Sequence, residues 1–207
     1  MSLKPLLTRA GLWRAFIDLS LAALYVAFAY GQLRQFVQTQ RPSAPILVAT
    51  ELVFAFFFLF RKPAEDVSRS AWDWFTTVGG TAAPLLLRAT AAPNDLLAAE
   101  ALQIFGATGS LLGIVFLNRS IGVVPAYREV KTSGVYRLVR HPLYAAYTLS
   151  NIGYVLSNCS VWNIAVLAAA FTFQVARIFN EERLLERHAS YRAYQARTRF
   201  RLLPFVF

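Results

Sequence analysis

The chain has 207 residues, 57% of them hydrophobic and 15% charged, with a formal net charge of +10 and a mean hydropathy of +0.44. A soluble domain carries about a quarter charged residues, so this composition excludes one and indicates a single membrane domain over residues 1–207. Nor does the positive charge indicate nucleic acid: Lys and Arg cluster at the ends of apolar runs, where membrane proteins place them, and anionic lipid is the expected partner.

Residues 15–33 form the first apolar run, interrupted by Asp18, and residues 44–60 the second, carrying Glu51. Residues 71–87 are the weakest run and contain Asp73, Gly79, Gly80 and Pro84. Residues 96–117 are long and apolar apart from Glu100, residues 143–156 are short, and residues 161–179 are long enough to cross. A spanning helix needs about 20 apolar residues, roughly 17–25. The fifth run is therefore expected to be re-entrant or partly interfacial, hairpinned to the sixth through residues 157–160. The expected fold class is all-α: a polytopic transmembrane bundle of five to six helices. A cytosolic amphipathic helix over residues 181–197 follows it, with Leu184, Leu185, Tyr191 and Tyr194 set among charges.

With six passes, eighteen Lys and Arg fall on the side of the two termini and only Arg34, Arg41 and Arg88 on the other. The positive-inside rule puts both termini in the cytoplasm, and a bacterial inner membrane is the expected location. The N-terminus carries no small-residue cleavage site, so no signal peptide is expected. The lone Cys159 excludes an intrachain disulfide and a Cys-based zinc cluster, and no metal is expected.

Two polar stretches carry the candidate chemistry. In GVYRLVRHPLY, residues 134–144, Pro142 suits the first position of a helix with His141 as its cap. The N–H groups of that helix end suit a ligand carboxylate. His141 and Tyr144, three apart, can reach the same ligand. A purely structural role is equally open, because Pro starts helices and Arg and Tyr decorate interfaces. The second stretch, EERLLERHASYRAY, begins with Glu181 and Glu182. Adjacent carboxylates repel unless cations pair with them, and Arg177 or Arg183 can do so structurally. Alternatively, one glutamate receives an ammonium. A helix N-terminus and a glutamate together form a two-point clamp for a zwitterion, such as the methionine end of S-adenosylmethionine.

The GVYRLVRHPLY, EERLL and YRAY segments, in this order around an apolar hairpin and before a basic tail ending in LLP, span residues 134–204. They resemble the isoprenylcysteine carboxyl methyltransferase family, with the related phospholipid methyltransferases. The resemblance implies a membrane-embedded enzyme that uses S-adenosylmethionine. It implies a cofactor pocket lined by His141, Tyr144, Glu181 and Glu182, with Arg140 and Tyr136 of the same motif. It further implies that an arginine before Pro204, either Arg199 or Arg201, holds a carboxylate acceptor at the reacting centre. Residues 1–118 are then expected to shape the cavity for a lipophilic substrate from the bilayer, and residues 119–207 to bind the cofactor. An isoprenylcysteine-like carboxylate is the leading acceptor, with a phospholipid or a small amine or thiol as alternatives. A sterol-reductase-like NADPH enzyme, a transporter and a membrane scaffold are rival readings. One departure is Ala146, where the family often has Gly, which predicts a looser backbone approach.

Other features carry less. Gly106, Gly109 and Gly113 share a helix face and predict close helix packing. Glu51, the sole ionisable residue in the second run, is either a substrate contact or a neutral acid bonded to a neighbouring helix. His188 is expected to be a solvated helix residue, and Cys159 inert. The charge distribution makes a direct prediction. Reporter fusions at Arg69, Arg128 and the C-terminus should read cytoplasmic, and fusions at Gln38 and Ser157 the opposite side. An outward C-terminus would refute the orientation.

Overall fold

The computed structural model describes residues 9–90 and 96–207; Lys4, counted above among the cytoplasmic charges, lies outside them. Among the described residues the chain forms α1 (Arg9–Thr39), α2 (Ser43–Leu59), α3 (Ala71–Ala82), α4 (Leu97–Leu117), α5 (Pro142–Ser157), α6 (Val161–Leu185) and α7 (Ala189–Arg197). The bundle is all-α apart from one antiparallel pair of two-residue strands, β1 (Asp66–Val67) and β2 (Ala126–Tyr127), joining the α2–α3 and α4–α5 connections.

Residues 11–39, 97–120 and 161–185 are each long and apolar enough to cross a membrane, and the 17-residue α2 is a shorter apolar helix. Outward faces carry Leu19, Phe56, Phe105 and Phe171, as a lipid-facing surface requires. The 16 residues of α5 span about 24 Å, less than the ~30 Å hydrocarbon core, in line with the short fifth run. The third run does not continue to residue 87 as one α-helix. Pro84 has no N–H to donate and its ring opposes the carbonyl four residues back. Accordingly α3 ends at Ala82 and Ala83–Leu86 form a 3-10 turn. The sixth helix runs past the boundary expected from composition. Glu181 and Glu182 continue α6, and the separate terminal helix begins only at Ala189.

α1 and α2 pack against α4 around Phe54, Phe58 and Ile114, with Tyr25 stacked on Phe54 at 4.8 Å between ring centroids. α4 and α5 form the most extensive helix pair. Their seam is built from small residues: a Cβ on Gly106 would stand 2.7 Å from the Ala146 carbonyl oxygen, and one on Gly109 3.1 Å from the Ala146 Cβ. The approach at Ala146 is thus close, contrary to the expectation, because the missing side chain is supplied by the partner helix. α3 packs on α6 by the same device. A Cβ on Gly79 would meet the Phe173 ring at 2.8 Å, and one on Gly80 the Arg177 Cδ at 3.0 Å. At the opposite end from the motifs, Asn163 accepts from the Arg88 amide at 3.0 Å and donates to the Arg88 carbonyl at 2.8 Å, fastening residues 88–90 to the α5–α6 turn.

A side chain at the α4–α5 seam has no room without moving backbone. Gly106→Leu is therefore expected to destabilise the bundle by about 1–3 kcal/mol or more. Thermal unfolding in detergent measures it, with Gly31→Leu, which has open space, as the control.

Candidate active site

His141 occupies the cap position and Pro142 the first turn of α5, as read from the sequence, although the His141 side chain makes no capping bond. The segment before it is shaped by Gly134, whose φ of +59° lies in the left-handed region. A Cβ there would also collide with the Phe116 ring. The 3-10 turn Gly134–Arg137 follows and buries Tyr136.

The two glutamates point different ways, because neighbours on a helix differ by about 100° around its axis. Glu182 is buried and fully engaged: its side chain is 3% exposed and that of Arg140 4%. Arg140 Nε donates to Glu182 Oε1 at 2.7 Å, His141 Nε2 lies 3.1 Å from the same oxygen, and Arg201 Nε donates to Oε2 at 2.8 Å. The Tyr191 hydroxyl adds a longer contact at 3.4 Å. Arg140 also donates through Nη1 to the carbonyls of Thr198 and Arg199, at 2.9 and 2.7 Å. The tail runs alongside the motif, with the amides of Arg140 and His141 donating to the carbonyls of Phe200 and Arg201 at 2.9 and 2.8 Å. Those two amides, next to the α5 N-terminus, are therefore committed to the chain itself.

Glu181 is more open, with its side chain 19% exposed. The Tyr144 hydroxyl donates to its Oε1, and its Oε2 lies 3.9 Å from His141 Nδ1. Arg177 Nη2 is 3.9 Å from Oε1, and the same guanidinium sits 5.1 Å over the Tyr144 ring. Arg177 donates to the Val123 carbonyl at 3.0 Å, yet its Nε is buried without a partner. Tyr194 donates to the Tyr136 carbonyl at 2.6 Å, tying α7 to the motif loop. Burial holds the phenols of Tyr136, Tyr191 and Tyr194 above the usual tyrosine range, so all three act as neutral donors.

Tyr136, Arg140, His141, Tyr144 and Glu181 line a cavity of about 610 Å³ that continues along the bundle past Arg177 and Glu51 to Gln35 and Arg41. Its volume lies within the range of small-molecule sites, about 300–1,000 Å³. Glu182 and both tail arginines are outside the lining. Arg201 is held against Glu182 and the rings of Phe179 and Phe207, and Arg199 is exposed. Arg201 thus faces the glutamate rather than the cavity. Glu51 faces the cavity and its Oε2 makes no hydrogen bond, which removes the neighbouring-helix bond as its explanation. His188 is not a solvated side chain: its ring stacks on Tyr127 at 3.5 Å and lies 3.9 Å from Asp66. Sequence reasoning gave Arg177 only a pairing role. The signal was present, since it is the only charged residue within residues 161–179 and sits four residues before Glu181.

The model of phospholipid methyltransferases matches residues 89–192, just over half of the chain, including the whole of GVYRLVRHPLY and the Glu181–Glu182 pair and ending within YRAY. The chain belongs to that family. It is an integral membrane methyltransferase, and the reductase, transporter and scaffold readings are set aside. The comparison with individual curated proteins returns no match. The matched region ends before the tail that carries Arg199 and Arg201.

Removing one charge from a buried ionic cluster leaves the others unpaired, at a cost of about 3–5 kcal/mol. Glu182→Gln is therefore expected to lower stability by that amount, and Glu181→Gln by much less. Denaturant unfolding in detergent distinguishes them, and equal effects would remove the division between the two glutamates.

Proposed function

We propose that this methyltransferase uses S-adenosylmethionine to methylate a carboxylate-bearing lipophilic acceptor lying in the cavity. The observation that carries the reading is the division between the glutamates. Glu182 is saturated by the chain's own cations, while Glu181 keeps a carboxylate on the cavity wall beside the start of α5. Glu181 then receives the cofactor's ammonium, and the positive dipole end of α5, at the same end of the cavity, faces its carboxylate. This fits a zwitterion because both signs of charge are offered at one end of the cavity. When bound, the cofactor supplies an electrophilic methyl group on a sulfonium.

Arg177 is the acceptor-binding group in this reading, in place of Arg199 or Arg201. Its Nε has no internal partner, and a planar guanidinium suits a carboxylate. With Glu181 engaged by an ammonium, more of the Arg177 charge is available to the acceptor. A carboxylate nucleophile needs no proton removed, so the residues need only bind, orient and exclude water. Orientation alone lowers such barriers by roughly 7–11 kcal/mol in favourable cases. The cofactor enters from the cytosol and the acceptor from the lipid. A second reading has a specific observation behind it: the unpartnered Glu51 Oε2 suits an amine, as in an aminophospholipid.

Two measurements test this. Glu181→Gln should weaken S-adenosylmethionine binding by one to two decades, since a lost charged hydrogen bond is worth about 1.5–3 kcal/mol; unchanged affinity by calorimetry rejects the clamp. Arg177→Gln should abolish transfer of labelled methyl to a prenylcysteine carboxylate while cofactor binding persists. If instead Glu51→Gln alone abolishes transfer, and only to an aminophospholipid, the second reading holds.

A further inference from the structure

The end of the cavity remote from the motifs is unlike the lining expected for a hydrocarbon chain. Gln32 and Gln35 of α1, Gln103 of α4 and Asn151 of α5 all border it. Gln103 is the informative one. It is 4% exposed, lies on the cavity, and its Nε2 has no hydrogen-bond partner. A buried amide without a partner is costly inside a bundle that spans a bilayer. Its position is built rather than incidental: Gly153 of α5 faces it, and a Cβ there would stand 2.8 Å from the Gln103 Cγ. The absent side chain leaves the space that the glutamine occupies.

We propose that this amide recognises an oxygen-bearing group, a hydroxyl or carbonyl, at the far end of the acceptor, so that the substrate is polar at both ends. The proposal rests on the methyl-transfer reading for which end of the acceptor is methylated. A polyprenyl or saturated tail offers no acceptor atom to an N–H donor, whereas a hydroxyl or carbonyl oxygen does. The length of the substrate follows from α5. Gly153 is nine residues beyond Tyr144, over whose ring the Arg177 guanidinium sits, which is about 14 Å along the helix. The acceptor class is thus an amphiphile with a carboxylate at Arg177 and an oxygen function roughly 14 Å away. Gln32, Gln35 and Asn151 line the same cavity and add further hydrogen-bonding groups to it.

The test is a matched pair of probes, ω-hydroxydodecanoate and dodecanoate, titrated calorimetrically into the detergent-purified protein. Wild type should prefer the hydroxy acid by about tenfold, the value of one buried hydrogen bond, with an optimum in a series of chain lengths. Gln103→Met, close in volume and without a donor, should bind both acids alike at the affinity wild type has for dodecanoate. The chain-length series on wild type keeps the test decisive if the variant fails to fold. No preference in wild type, or a preference retained in the variant, overturns the proposal. A preference that depends on Gln103 without methyl transfer to either acid would leave the site standing and overturn the carboxylate acceptor instead.

Discussion

Two guanidinium groups, an imidazole and a phenol converge on the Glu182 carboxylate, and the architecture of the motif face depends on that convergence. Arg140 and His141 come from the loop before α5, Glu182 from the end of α6, Tyr191 from α7 and Arg201 from the tail. A buried ionic cluster is not a strong source of net stability, because desolvation consumes most of the Coulombic gain. Its effect is on uniqueness. Any arrangement that separates these segments leaves a charge stranded in an apolar setting, so the loop, two helices and the tail have one way to fit. Around that point, Tyr194 and the backbone pairing of residues 140–141 with 200–201 complete the enclosure.

Space for the cavity comes from the absence of side chains elsewhere. Gly106, Gly109 and Gly153 let α4 and α5 touch, while Gly79 and Gly80 admit Phe173 and Arg177 between α3 and α6. Dispersion between close backbones replaces hydrophobic burial as the cohesive force where both surroundings are apolar. Close contact on these two seams leaves the remaining volume between them, walled by residues of α1 to α6, and that volume is where the polar groups collect.

Much of this was legible beforehand. Pro142 marked the start of α5, since only a first-turn position tolerates its missing N–H. The glycine stripe of the fourth run announced a close helix seam. The different fates of Glu181 and Glu182 were not legible, because which side of α6 faces the cavity depends on how α6 packs against α5 and α3. The contacts of the tail arginines were not legible for a related reason. Spacing to Pro204 says nothing about whether a guanidinium meets a ligand or an internal carboxylate. The setting of Arg177 was not legible because its neighbours in sequence are apolar, whereas Gly80 makes room for it and the Val123 carbonyl accepts from it, both from distant segments. The pairing of β1 with β2 involves two residues each, too short for any periodicity to show.

The spacing of the Glu182 cluster along the chain also sets an order of assembly. Arg140 leaves the ribosome some forty residues before Glu182 and about sixty before the carbonyls of Thr198 and Arg199 that it binds. During that interval α1 to α5 can partition into the bilayer and join along their glycine seam, while the Arg140 guanidinium has only water as its partner. The apolar bundle can therefore form first, and the ionic cluster is complete only when the tail is laid against Arg140 and Glu182. Insertion into the membrane and closure of the ionic cluster are two separate events in the life of this chain, the second waiting on Arg201 and on the carbonyls of Thr198 and Arg199.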